Sequence, residues 1–283
     1  MDTIKKKTIL CIFAHPSDES FFAGGTIALY KKLGWRIHVI CVTNGESGDE
    51  AVSSETEGII RRQEMGSASN ILGIENMTFL DKPNGNLPSL SPGTLEDPFY
   101  TQMTSLLPDV VITHDTAGIS NNPDNIKVCY AVTYAFQKYA TYLSELKTPD
   151  PTLRKRGKTF QREEYERAFG SIDPENKEPK LYYMCLPTHV VSFMQAQKQL
   201  PKEAHGLPWK GTPDKVITTV IDIKEQKLIK GQALLCYRSL QHDVDQFINF
   251  DANPSHNQEY FLLRMQGDYE VFMGKNDRVA DSL

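Results

Sequence analysis

The sequence lacks any long hydrophobic run, any paired-cysteine motif and any excess of positive charge, and each absence removes a class of protein. No stretch approaches the roughly 20 apolar residues that a membrane span requires. At the N-terminus, Lys5, Lys6 and Lys7 precede an apolar run too short for a secretory leader with its cleavage site, which reads instead as a first strand. Cys11, Cys41, Cys129, Cys185 and Cys236 form no CxxC pair and mostly sit in apolar segments, so they are expected to be reduced core thiols of a cytoplasmic protein. With 31 Lys and Arg against 36 Asp and Glu, the net charge of -5 offers no basic face for nucleic acid. HExxH, a nucleophile elbow and GxGxxG are all missing, and Gly24-Gly25 alone points to close packing of a helix on a strand, not to a phosphate cradle.

What remains is ordinary globular material, 40% hydrophobic over 283 residues, enough for one large α/β domain. Residues 8–14 are a continuous apolar, β-branched run, as expected for a strand covered on both faces. Residues 20–34 then show helical spacing stopped by Gly34, and 36–43 read as the next strand. A helix over 59–72 closed by Gly73, a short strand at 77–80, a helix over 97–107, a strand at 109–114 and a long helix over 125–143 follow. This βαβα order predicts a doubly wound, mostly parallel sheet with helices on both faces, which holds its ligands beyond the carboxyl ends of the strands. Residues 148–179 are polar, charged and punctuated by Pro and Gly, a surface insertion. Strands at 181–187 and 215–223 and an amphipathic helix over 224–240 complete the reading, with no repeat and no linker to divide a single domain.

Two segments fall where such a sheet places its site: His15-Pro16-Ser17-Asp18-Glu19 after the first strand, and HDTAGISNNPDN, from His114 to Asn125. His15 and Asp18, three apart in a Pro-containing turn, could converge on one zinc ion and leave room for a third ligand and a water. Asp18 could equally cap the helix that follows. His114 ends its strand at the sheet's carboxyl edge, within topological reach of a metal, although a hydrogen-bonded strand-end histidine is the plainer reading. Helical phase disfavours His242 as a substitute ligand; His38, flanked by Ile and Val in a strand, reads as structural; His189, His205 and His256 lie in or beside Pro- and Gly-containing segments and read as surface.

AHPSDESFFAGGTIA, CVTNGESGD, RRQE, FLDKPNG, THDTAGISNNPDN and ALLCYRSLQHDV, in that order, resemble the PIG-L/LmbE-type N-deacetylases, from the first strand to about Met265. The resemblance implies a Rossmann-like, zinc-dependent hydrolase that removes the acetyl group from an N-acetylated amino sugar or its conjugate. It assigns His15 and Asp18 to the metal, with Asn125 standing where the family has a third ligand, a histidine. Ser17 stands where the family has the aspartate that acts as general base. Asn122 stands where a histidine stabilises the tetrahedral intermediate or protonates the leaving amine, and Asp124 keeps its place. Arg61 matches a substrate-contacting arginine, and Asn44 and Glu46 fit the family's pattern. Asn84 replaces the aspartate of a Pro-Asp-Gly, and Tyr237 stands at the histidine of a Cys-His-Arg-Ser run; with Arg61, Asn44 and Glu46 they are the expected substrate-binding positions.

These departures fall on the chemistry. A serine hydroxyl does not take a proton from water as a carboxylate does, and losing a positioned general base costs roughly 10²–10⁴-fold in rate. An asparagine amide oxygen is a weak zinc donor beside an imidazole. The expectation is therefore weak or absent zinc and a hydrolysis lost or very low, with two readings left open: an N-deacetylase acting on a small N-acetylated amino sugar or conjugate, or a non-catalytic sugar-binding or regulatory relative.

Overall fold

The computed structural model describes residues 6–46, 54–147, 178–248, 257–273 and 278–283; His256 and almost all of the expected insertion lie outside them. The six residues of β1 (Thr8–Phe13) are all buried, because the strand runs between β2 (Arg36–Thr43) and β4 (Val110–His114), parallel to both. Its side chains alternate between two cores: Ile9, Cys11 and Phe13 enter one, Leu10 and Ile12 the other. β3 (Asn76–Lys82) flanks β2, and β5 (Lys180–Cys185) flanks β4, giving the parallel order β3-β2-β1-β4-β5.

Helices cover both faces. α2 (Gly24–Lys32) contributes Ile27 and Ala28 to the first core, whereas α6 (Pro123–Lys147) contributes Val128, Val132 and Phe136 to the second. The connection after β1 therefore leaves for one face and that after β4 for the other. The carboxyl ends of these adjacent strands flank the switch point at which sheets of this kind open a crevice. α3 (Ser54–Leu72) and α4 (Glu96–Leu106) complete the parallel part.

The C-terminal part departs from a purely parallel sheet. β9 (Gln258–Gln266) pairs antiparallel with β5, and its other edge carries β8 (Thr219–Asp222) and β10 (Tyr269–Glu270). No element is predicted at 258–266, and the strand predicted over 215–223 shrinks to β8 behind a 3₁₀ turn at Asp214–Val216. The helix predicted over 20–34 is two helices, α1 (Asp18–Phe22) and α2, broken at Ala23 (φ −135°, ψ 4°). The break has a cause: the Glu259 carboxylate accepts the N–H groups of Gly25 and Thr26 at 2.9 and 2.7 Å, so α2 begins afresh on an anion from β9. The helix predicted over 224–240 is likewise interrupted, into a 3₁₀ turn (Lys224–Gln226), a helix at Lys227–Leu234 and another 3₁₀ turn at Arg238–Leu240. In chain order the remaining elements are α5 (Gly118–Asn121), α7 (Thr188–Ala196), the hairpin strands β6 (Glu203–Ala204) and β7 (Leu207–Pro208), α8 (that Lys227–Leu234 helix) and α9 (Gln241–Ile248).

Candidate functional site

The loop after β1 and the segment after β4 meet at the switch point around His15. Its Nδ1 lies 3.6 Å from Asp18 Oδ2 and its Nε2 lies 3.3 Å from Asp124 Oδ2, so a carboxylate faces each ring nitrogen. Burial opposes protonation of this imidazole, but the hydrogen bonds and charges of Asp124 and Asp18 outweigh it and lift its pKa to about 9. Burial likewise works against ionising the two aspartates, and the neighbouring histidines together with backbone N–H donors hold both below the ordinary carboxylate range. The centre is thus an imidazole held between two carboxylates.

The potential metal donors take part in the following hydrogen bonds. Asp18 Oδ2 accepts the backbone N–H of His15 at 2.9 Å. Asp124 accepts Gly85 N–H on Oδ2 at 2.6 Å and Leu87 N–H on Oδ1 at 3.0 Å. His114 is fully buried; its Nε2 accepts Ala14 N–H at 3.0 Å, its Nδ1 has no partner among the described residues, and its ring packs edge-on against Phe13. Burial drives its pKa down to about 4 although Asp18 pulls the other way, so it is a neutral strand-end histidine. Asn122 Oδ1 caps α6, accepting the N–H groups of Asp124 and Asn125 at 2.9 and 3.4 Å. Asn125 donates its amide to Gly118 O at 3.2 Å, and its buried Oδ1 has no partner among the described residues. Among the described residues, no group of three or more His, Cys, Asp or Glu is arranged to hold a metal ion.

Above this centre opens a cleft of about 340 Å³ that brings together His15, Arg61, Asn84, Asn122 and Asp124, joined by Gly45, Gly85, Pro123 and His205. Arg61 reaches Glu57 with Nη2 at 3.4 Å, and its buried Nε has no partner among the described residues. Asn44 and Glu46 stand beside the cleft: Asn44 Oδ1 accepts from Arg62 at 2.8 Å, and the Glu46 carbonyl accepts the Asn84 amide. Ser17, Asp18 and Asn125 are buried and are not in its wall. Ser17 sits at φ 99°, opening α1 with its N–H on Glu19 Oε2 at 3.1 Å.

Tyr237 does not take the substrate-contacting place that the resemblance gave it. It is fully buried in the first core, where its hydroxyl donates to Glu19. Glu19, which carried no separate role in the sequence, is an inaccessible carboxyl; burial, partly offset by the Tyr237 and Ser20 hydroxyls, raises its pKa to about 7. His205, read as surface, is exposed yet lines the cleft. A larger apolar cavity of about 400 Å³ lies among α1, α7, α8 and α9 and shares none of these residues, so size does not locate the polar site.

Fold and site together define a Rossmann-like α/β protein whose polar cleft stands at the switch point. Residues 10–136 match the family described as "PIG-L: GlcNAc-PI de-N-acetylase". Over 282 residues it is 27% identical to a 1D-myo-inositol 2-acetamido-2-deoxy-alpha-D-glucopyranoside deacetylase of Saccharopolyspora erythraea, covering 90% of this chain and 92% of that protein. In fold it is similar to the N,N'-diacetylchitobiose deacetylase of Pyrococcus horikoshii (TM-score 0.59, 19% identity, 92% and 84% of the two chains covered). It is equally similar to GalB, the 4-carboxy-2-hydroxymuconate hydratase of Pseudomonas putida (TM-score 0.59, 18% identity, 97% and 100% covered).

Proposed function

We propose that this chain is a PIG-L-type protein whose cleft binds an N-acetylated amino sugar or its conjugate, and in which amide hydrolysis is lost or very low. The observation that carries the reading is the donor set itself, with Asn125 beside His15 and Asp18 where a second imidazole is expected and Ser17 where a carboxylate is expected. His15 and Asp18 offer one imidazole and one carboxylate, and the place of a second imidazole is taken by Asn125. The residues present do not fit zinc: Asn125 offers an amide in place of an imidazole, and its NH₂ is turned to Gly118. Ser17 supplies no carboxylate to take a proton from water. No hydrolytic step is therefore assigned.

The cleft retains the means to bind. Arg61 places a guanidinium beside it, and Asn84 and Asn122 carry amides on its wall. Such donors suit sugar hydroxyls and an acetamido carbonyl. The relatives' names support the sugar class, since the Saccharopolyspora protein is named for deacetylating an acetamido glucopyranoside. The unpaired cysteines, four of them buried, fit a reducing cytoplasm. No helix among the described residues is long and apolar enough to cross a membrane.

The test is metal content by elemental analysis after dialysis, with a deacetylation assay on N-acetylglucosamine conjugates. It is run on this chain and on a variant carrying Ser17→Asp, Asn122→His and Asn125→His. Zinc and turnover are expected only in the variant, with at least about a 10²-fold gap in rate. Stoichiometric zinc and comparable turnover in the unaltered chain would overturn the reading.

A further inference from the structure

The cleft has one wall that does not come from the parallel sheet. β6 and β7 form a two-residue hairpin, Ala204 paired with Leu207, whose tip is His205-Gly206. Both tip residues have positive φ, 52° and 75°, as a tight hairpin turn of the primed type demands. Asn, Asp or Gly ordinarily fill the first of these positions, because a left-handed backbone is costly for bulkier side chains. Here a histidine fills it, and its side chain lines the cleft that holds His15, Arg61 and Asp124.

The hairpin is fastened to the segment carrying Asn122. The Asn121 amide donates toward three of its carbonyls, Ala204, Leu207 and Pro208, at 3.3–3.4 Å. Trp209, just after the hairpin, donates its indole N–H to Ile119 O at 2.7 Å, and the Gln195 amide holds the Trp209 carbonyl at 2.8 Å. The segment receiving these bonds is itself strained: Ile119, a β-branched residue, has φ 63°, and Asn121 has φ 61°. A strained turn persists only where its surroundings over-determine it, and such turns gather at sites. Here the hairpin supplies the surroundings and presents an imidazole to the ligand space in return.

We propose that His205 is a ligand-contacting, specificity-determining residue of this cleft. It brings an imidazole to a site whose chain segment has Asn at 122 and 125, and hydrogen-bonds a hydroxyl or the acetamido carbonyl of the bound sugar. Asn121 is its positioning residue. The inference rests on the sugar-binding reading above and adds to it a residue from outside the matched span of 10–136.

The experiment is an NMR and calorimetric titration with N-acetylglucosamine of the full chain and of His205→Asn and Asn121→Ala. Asparagine tolerates the left-handed backbone, so His205→Asn keeps the turn and removes only the imidazole. The His205 ring resonance, identified by its disappearance in that variant, is expected to shift on sugar addition. Affinity is expected to fall about tenfold in His205→Asn, the worth of one hydrogen bond, and to fall in Asn121→Ala together with faster amide exchange in the hairpin. Unchanged affinity in His205→Asn with a silent ring resonance overturns this inference and leaves the sugar reading standing. No binding by the unaltered chain overturns both.

Discussion

His15 is the residue on which the electrostatics of the site converge, and its protonation ties stability to pH. Its pKa rises from an ordinary 6.5 to about 9 in the fold, so it contributes stability that is fully present below pH 6.5 and is lost as pH climbs through 9. Glu19, raised from 4.5 to about 7, gives up its contribution between those values, also on the alkaline side. His114, lowered from 6.5 to about 4, acts in the opposite sense, losing stability as pH falls through that window. Between pH 7 and 9 His15 dominates, with Glu19 completing its titration just above pH 7. Urea unfolding in chelator should therefore show the protein weaker at pH 9 than at pH 7 by about 2 kcal/mol, and His15→Gln should flatten most of that slope; parallel slopes would refute the assignment. The sequence made Ser17, Asn122 and Asn125 legible because each replaces a residue of known chemistry in intact flanks. It could not show that Tyr237 points into the core, because the side chain's direction depends on the break between α8 and the 3₁₀ turn that follows. Nor could it place His205 at the cleft, because the hairpin tip is brought there by bonds such as Asn121 to Ala204 and Trp209 to Ile119, between residues distant in sequence.

At the scale of elements, the two glycines after α1 illustrate what patterning reveals and what it hides. The sequence read Gly24-Gly25 as close packing, and a Cβ at Gly25 would lie 2.5–2.7 Å from the Cδ1, Cβ and Cγ2 atoms of Ile223, the residue that follows β8. No rotation of Ile223 removes its own Cβ, so Gly25→Ala must displace backbone and is expected to cost about 1–3 kcal/mol. Gly66 in α3 has open space around it, and Gly66→Ala should stabilise by about 0.5–1 kcal/mol by restoring helix propensity. Chemical denaturation of the two variants should move in opposite directions; shifts of the same sign would contradict the packing. The parallel strands were legible because each is a compact apolar run. β9 was not, since its burial along the strand does not alternate: β5 covers one edge, β8 and β10 the other. The continuous helix at 20–34 failed for a related reason, because its break depends on a carboxylate more than two hundred residues away.

That carboxylate also joins the ends of the molecule. Glu259, buried in β9, accepts the first N–H groups of α2 and the ammonium of Lys230 from α8 at 2.6 Å. One side chain thus links the late antiparallel strands to the helix that follows the His15 loop, and Lys230 is itself only 10% exposed in its side chain. A buried pair of this kind need not add net stability over an apolar substitute, but breaking it from one side strands a charge, typically at about 3–5 kcal/mol. Lys230→Met should accordingly destabilise by that order. Glu259→Gln should cost at least as much, because it leaves the ammonium buried and offers one carbonyl oxygen where two N–H groups and a cation were held. The double variant should cost less than the sum of the two, since it removes both stranded charges. Urea unfolding of the three variants measures this, and additive losses would mean that the pair does not act as a unit. If it does, the parallel sheet with its cleft and the antiparallel edge unfold in one transition, and losing the Glu259 contacts should disturb sugar binding at the His15 loop although Glu259 is not in the cleft wall.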